Sequence, residues 1–191
     1  EGVSIAERVD IEKMGIVTAD GPQTRKLTDP YPTRPANYGK VNVEMLKKLS
    51  TPVKYSPSDG KIIGIHQGAQ FYTIGQRRGL DIGGHKESLF IIAIDIEENT
   101  IYVGEGHSHP GLCRKALEID TNEIHWIRPD LQLQPGEYRD YMVRIRYRQP
   151  LQRARLYMEN EGLYILFEKP QRGVTPGQFA AWYDPETEEL L

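Results

Sequence analysis

Six arginines crowd one window of the chain, Arg139, Arg144, Arg146, Arg148, Arg153 and Arg155, and a single acid, Asp140, stands among them. A guanidinium offers a rigid fork of donors that matches phosphate oxygens, so a cluster built from arginine alone, with no lysine, has the chemistry of a nucleic-acid platform. Along Val143 to Arg148 the side chains alternate. On an extended strand this sets Val143, Ile145 and Tyr147 on one face and Arg144, Arg146 and Arg148 on the other, about 6.6 Å apart, close to the spacing of successive phosphates. Arg153 and Arg155 repeat the alternation after Gln149-Pro150-Leu151, so a hairpin could present five guanidiniums together. The plainer reading is a solvated outer face paired with acids such as Glu159, Glu161 and Glu168. Both stay open at this point.

A second run, Tyr72 to Gly84, follows an apolar stretch and holds Gly75, Gln76, Arg77, Arg78 and Gly79, with Gly83 and Gly84 beyond. Glycines let a backbone approach a ligand closely, yet the run lacks the Lys-Ser/Thr of a P-loop and a complete dinucleotide fingerprint, and a flexible surface loop explains it better. For catalysis the residue types are thin. His66, His85, His107, His109 and His125 offer no third ligand at metal-site spacing, although His107-Ser108-His109 places two imidazoles on one side. Cys113, beside Arg114 and Lys115, is the one cysteine; its neighbours would favour a thiolate, but no base is spaced to serve it, and a half-buried structural role is expected. No catalytic residue and no metal site are assigned.

The whole-chain charge hides the arginine window. In 191 residues, 24 Lys+Arg stand against 27 Asp+Glu, a formal net charge of −3, so nucleic-acid binding must be local if it occurs. A lone cysteine excludes internal disulfides and thiolate-rich zinc sites, and no apolar run reaches the ~20 residues of a membrane helix. With no signal-peptide pattern at the start, a cytoplasmic protein with no membrane association is expected.

The elements that must carry these residues are mostly strands. Repeated prolines (Pro22, Pro30, Pro32, Pro35, Pro52, Pro57) break the opening stretch, leaving helices only at Ile5 to Met14 and Val43 to Leu49. From Gly60 onward short apolar or alternating runs read as strands at 61–66, 70–74, 89–96, 100–104, 141–148, 152–158, 163–167 and 179–183, with turns at Asn99 and at Glu161-Gly162. The division expected is an irregular segment 1–58, a small central α+β domain 59–110, and a closed β-barrel 111–191, since closure protects edge strands. The fold class is mainly β.

Several motifs, in order, resemble the tRNA-specific 2-thiouridylases. Gly60 to Tyr72 running into Thr73-Ile74-Gly75-Gln76-Arg77-Arg78-Gly79-Leu80-Asp81-Ile82-Gly83-Gly84, Asn99 to Gly106, His109-Pro110, Ile124 to Ile127, Arg144 to Gln149 and Val174 to Tyr183 are similar to that family's central and C-terminal segments. The resemblance covers about residues 59–187. It implies an ATP-dependent sulfurtransferase of three parts: an ATP-pyrophosphatase domain, a small central domain and a barrel like those of translation factors. The full enzyme would adenylate the wobble uridine of tRNA and replace its oxygen with persulfide sulfur delivered by a cysteine desulfurase or relay protein.

This chain holds no Ser-Gly-Gly-x-Asp-Ser loop, and Cys113 stands at neither family cysteine position. The expectation is therefore a fragment or a domain-deleted relative, inactive alone, with no cofactor of its own and with ATP and Mg held by the absent domain. By the same resemblance, tRNA contacts fall on Arg146, Tyr147 and Gln178, beside the Arg144 and Arg148 of the arginine face, and the loop Gly75 to Gly79 lies next to the active site. Alternation sets Tyr147 opposite Arg146, so both can touch RNA only at a barrel rim or a bulge. The alternative is a protein-interaction barrel that docks an acidic partner through the Arg144/Arg146/Arg148 strand; a thiol enzyme built on Cys113 is a third reading.

Overall fold

The computed structural model describes residues 41–191 and the backbone of one earlier strand, β1 (Gly15–Ala19); the helix expected over Ile5 to Met14 lies outside the described residues. The chain divides into two compact units, one built on Val53–Cys113 together with β1, the other on Arg114–Leu191 together with the helix α1 (Val43–Ser50).

The first unit is a four-stranded sheet in the order β2-β1-β4-β3, with β2 (Gly60–Gly64), β3 (Leu89–Asp95) and β4 (Thr100–Glu105). β3 and β4 form the expected hairpin. Asn99 closes it at φ +46°, a left-handed conformation that asparagine tolerates better than most residues. Both strands read as continuous apolar runs because both faces are covered. Leu89, Ile91, Ile101 and Val103 pack with Ala69 and Leu80 on one side, and Phe90, Ile92, Tyr102 and Leu112 with Tyr55 on the other. β1 inserts between β2 and β4, parallel to β4.

The strand expected at 70–74 is instead a 3-10 turn, Ala69–Phe71. Gly68 enters it at φ +145°, Tyr72 N–H closes it on the Ala69 carbonyl, and Asn99 Oδ1 accepts from Ala69 N–H at 2.8 Å. These local bonds turn a segment whose residue types alone favour a strand.

The second unit is a five-stranded sheet in the order β5-β8-β7-β6-β9: β5 (Cys113–Asp120), β6 (Tyr138–Arg144), β7 (Gln152–Met158), β8 (Gly162–Arg172) and β9 (Ala181–Tyr183). The protein is mainly β, as expected. Closure is not seen: among the described residues no pairing joins β5 to β9, so the barrel-type domain is an open ladder in its hydrogen bonding. One face packs Tyr141, Val143, Ala154, Leu156, Leu163, Ile165, Phe167 and Trp182 into the main core.

Part of the other face is covered by α1. Asn42 caps this helix by accepting Met45 N–H at 2.8 Å, and Leu46 and Leu49 pack on Tyr157, Tyr164 and Leu166. β5 is missing from the strand pattern because Arg114 and Lys115 break its alternation; Lys115 is nonetheless buried, its ammonium donating to the Glu168 carbonyl oxygen. Burial holds the Lys115 pKa below its ordinary value.

Candidate nucleic-acid interface

β6 stops at Arg144, four residues before the expected end of the strand. Arg146, Tyr147 and Arg148 therefore sit in the connection 145–151 and not on an alternating strand, which removes the conflict between Arg146 and Tyr147: all three are exposed, Tyr147 at 89%. The connection is an ordered turn. Gln149 N–H donates to the Arg146 carbonyl at 3.0 Å, its side-chain oxygen accepts from Ile145 N–H at 3.2 Å, and its amide nitrogen reaches Gln171 Oε1 at 2.5 Å.

The arginines fare differently from one another. Arg144 lies with its guanidinium 4.7 Å from the Tyr183 ring centroid and donates to the Tyr147 carbonyl at 3.3 Å. Arg146 donates from one nitrogen to the carbonyls of Arg172 (2.8 Å) and Gly173. Arg148 and Arg153 are exposed. Arg155 is neutralised, as a bidentate pair with Asp140 at 2.5 and 2.9 Å, and the pair holds its pKa above the ordinary arginine value. Arg139 opposes Leu156 in the ladder, on the core side of the sheet, and reaches Tyr141 Oη at 3.4 Å. The surface of five guanidiniums expected from alternation is therefore reduced.

What replaces it is an end of the sheet. β6 and β8 finish, and β7 and β9 begin, at the same end, because Val143 pairs with Gln152 and Arg144 with Ala181. The segments there, 144–152 and 172–181, contain Arg144, Arg146, Arg148 and Arg172 and no acid. While Asp140 and Glu168 lie within β6 and β8, seven acids gather at the opposite end: Glu137 before β6, Glu159 and Glu161 in the β7–β8 turn, and Asp184, Glu186, Glu188 and Glu189 after β9. The end of β5 joins them, since a Cβ on Gly162 would lie 2.9 Å from the Ile119 carbonyl oxygen. Two cations at that end are paired, Lys47 with Glu161 and Arg128 with Asp130 and Glu189, while Arg139 lies near the same end at the start of β6. Of the acids named as possible partners of the arginines, Glu161 engages Lys47 with its carboxylate, whereas Glu168 accepts Lys115 with its backbone carbonyl and not with its carboxylate. Such a separation of charge orients an approaching polyanion toward one end.

Gln178 lies at that basic end, exposed, after a turn in which Gly177 has φ +81°. Phe179 follows it, 94% exposed, a residue that the sequence pattern had assigned to a strand. Its exposure was not readable, because an aromatic beside Ala180, Ala181 and Trp182 reads as core.

Two family models match the chain: one described as the tRNA methyl transferase PRC-barrel domain over residues 46–105, the other as the aminomethyltransferase beta-barrel domain over residues 117–191. Together they take in well over half of it. The chain is 51% identical over 140 residues to the tRNA-specific 2-thiouridylase of Flavobacterium johnsoniae, an overlap of 73% of this chain and 35% of that protein. With the tRNA-specific 2-thiouridylase of Christiangramia forsetii it shares 46% over 163 residues (85% and 40%), and with that of Halalkalibacterium halodurans 40% over 134 residues (70% and 35%). The chain belongs to the tRNA-specific 2-thiouridylase family. It corresponds to the central and C-terminal barrel domains, and it spans between a third and two fifths of the length of these relatives.

In this 2-thiouridylase segment the loop after Tyr72 is built, not loose. Gly75 N–H donates to the Ile91 carbonyl at 2.7 Å, Ile91 N–H returns to the Gln76 carbonyl at 3.0 Å, and the Gln76 side chain bridges Thr73 N–H (3.1 Å) and the Arg78 carbonyl (2.9 Å). Gly75 and Gly79 take φ +84° and +81°, while Arg77 and Arg78 project outward. The amides of Gly75 and Gln76 are already donated internally, so they cannot cradle a phosphate. Cys113 is half-buried and packs beside the Phe90, Ile92, Tyr102 and Leu112 cluster. His109 Nδ1 accepts Gly111 N–H at 3.1 Å, and His107 lies 4.6 Å from the Phe90 ring. Among the described residues no group of three or more His, Cys, Asp or Glu is placed to hold a metal ion, and no helix is long and apolar enough to cross a membrane.

Proposed function

We propose that this chain is the tRNA-binding portion of a tRNA wobble-uridine 2-thiolation enzyme, gripping the polynucleotide backbone with the basic end of the C-terminal sheet. The observation that carries the reading is the concentration of Arg144, Arg146, Arg148, Tyr147 and Gln178 on an end whose connecting segments hold no acid, with seven acids clustered at the far end. Arg148 is free to fork onto phosphate, Arg144 to do so from its seat on Tyr183, and Tyr147 and Gln178 to meet sugar or base. The loop at Gly75, Gln76, Arg77, Arg78 and Gly79 shapes the neighbourhood of the target uridine through its outward arginines. It does so with a fixed backbone.

On this reading the adenylation and sulfur transfer belong to parts of the enzyme other than these residues. ATP and Mg are held there, and a persulfide donor such as a cysteine desulfurase or relay protein serves them. The test is tRNA binding by the 191-residue chain across a salt series. Affinity should fall as roughly the second to fourth power of salt concentration for three to four phosphate contacts. An acidic protein competing as well as tRNA would instead favour the protein-docking alternative.

A further inference from the structure

We infer that Phe179 is a base-stacking site, taking the face of an unpaired nucleobase of the bound RNA. The inference rests on the tRNA-binding reading and names a contact that reading does not contain. Phe179 is the most exposed of the large apolar side chains in the described residues, at 94%. Isolated apolar exposure is ordinary on soluble proteins, so position decides its meaning.

Three relations fix that position. The β6–β9 ladder pairs Met142 with Tyr183, Val143 with Trp182 and Arg144 with Ala181, so the chain beyond Arg144 and the chain before Ala181 leave the sheet side by side. Arg146 then ties the first of these segments to the start of the second through the Arg172 and Gly173 carbonyls. Thr175 Oγ1 donates to the Gly173 carbonyl at 3.1 Å, giving the connection that carries Phe179 a local anchor. Phe179 thus stands in an anchored segment at the acid-free end, next to Gln178 and beside the segment bearing Tyr147 and Arg148. An aromatic face set beside cations is an arrangement by which unpaired bases are held whatever their identity, because every base has a π-face while the cations track the backbone.

The test uses the full chain and a mixed tRNA preparation. Phe179→Ala should weaken binding roughly tenfold, within the range of single-base stacking losses, without changing the salt dependence, since no charge is removed. Phe179→Leu should behave like Phe179→Ala, because it keeps apolar bulk but no ring. Phe179→Trp should keep wild-type affinity, and the emission of its exposed indole should be quenched on adding tRNA; Trp126 and Trp182 are buried and serve as an unquenched background. If wild-type protein binds tRNA in a salt-dependent manner while the Ala and Leu variants bind equally well, or the introduced indole is not quenched, the stacking site is wrong and the binding reading survives. Absence of salt-dependent tRNA binding by wild-type protein would overturn both.

Discussion

Arg146 donates a hydrogen bond to the Arg172 carbonyl at 2.8 Å, which ties the connection after β6 to the end of β8. Its guanidinium is therefore a clasp as well as a charge, and the two loops of the basic end are held by a residue that alternation would have offered wholly to phosphate. Arg146→Ala should weaken tRNA binding more than Arg148→Ala, by a further factor on the order of five to ten, because it also releases two charge-assisted bonds that order the loops. Each variant should lower the salt exponent by about 0.7 to 0.9 if its arginine also meets a phosphate. Faster amide exchange across 173–180 in Arg146→Ala, and not in Arg148→Ala, would separate the clasp from the charge.

Asp140 holds Arg155 by two oxygens and keeps it from the solvent-facing set. Asp140→Asn should cost about 1 kcal/mol or less in urea unfolding, since the Asp140 side chain is 47% exposed and the pair is screened. It should also strengthen RNA binding at low salt by removing the one acid of the arginine window. Equal affinity for the two proteins at low salt would mean that Arg155 and its partner lie outside the RNA footprint.

Leu46 is fully buried on the face of α1 that covers Tyr157, Tyr164 and Leu166. Leu46→Ala should lower unfolding free energy by about 2 to 4 kcal/mol through lost burial and the cavity left behind. Below the unfolding transition tRNA affinity should be unchanged, because α1 covers a different part of the sheet from the basic end. A binding defect that matched the loss of stability would place the helix in the interface.

Tyr164 is buried and donates its hydroxyl to Glu118 Oε1 at 2.8 Å; burial first, and then that carboxylate, push its pKa well above the ordinary 10.0. Burial raises Tyr72, Tyr102, Tyr141 and Tyr157 as well. A phenol whose folded pKa lies above its unfolded value contributes stability that is whole below pH 10 and is lost as the pH climbs past it. Urea midpoints should therefore fall as the pH rises above about 10, and less steeply in Tyr164→Phe. Phenolate absorbance should show these five groups ionising together with unfolding and not ahead of it.

Much of this was legible in residue order, and the failures share a cause. β7 coincides with its expected span, 152–158, and α1 and the β3–β4 hairpin fall where periodicity and Asn99 put them. These are elements whose apolar pattern is set by one local environment. β5 was missed because its charged Lys115 is buried by a carbonyl that only the fold supplies, and the turn at Ala69 because it is held by Asn99, thirty residues on. The arginine cluster was visible, but its arrangement was misjudged. Alternation assumes a strand through Arg148, whereas β6 ends at Arg144, where Gln149 folds back on Ile145, so the cations share an end and not a face.

The central claim is that the acid-free end of the C-terminal sheet binds the RNA backbone. Its most direct test compares the salt dependence of tRNA affinity for wild-type protein and for Arg144→Gln/Arg148→Gln, two substitutions that remove charge without opening the core. We expect a wild-type exponent of about 3 that drops by roughly 1.4 to 1.8 in the double variant, with affinity at 50 mM salt reduced at least about twentyfold. An unchanged exponent in the double variant, with affinity retained, would contradict the account.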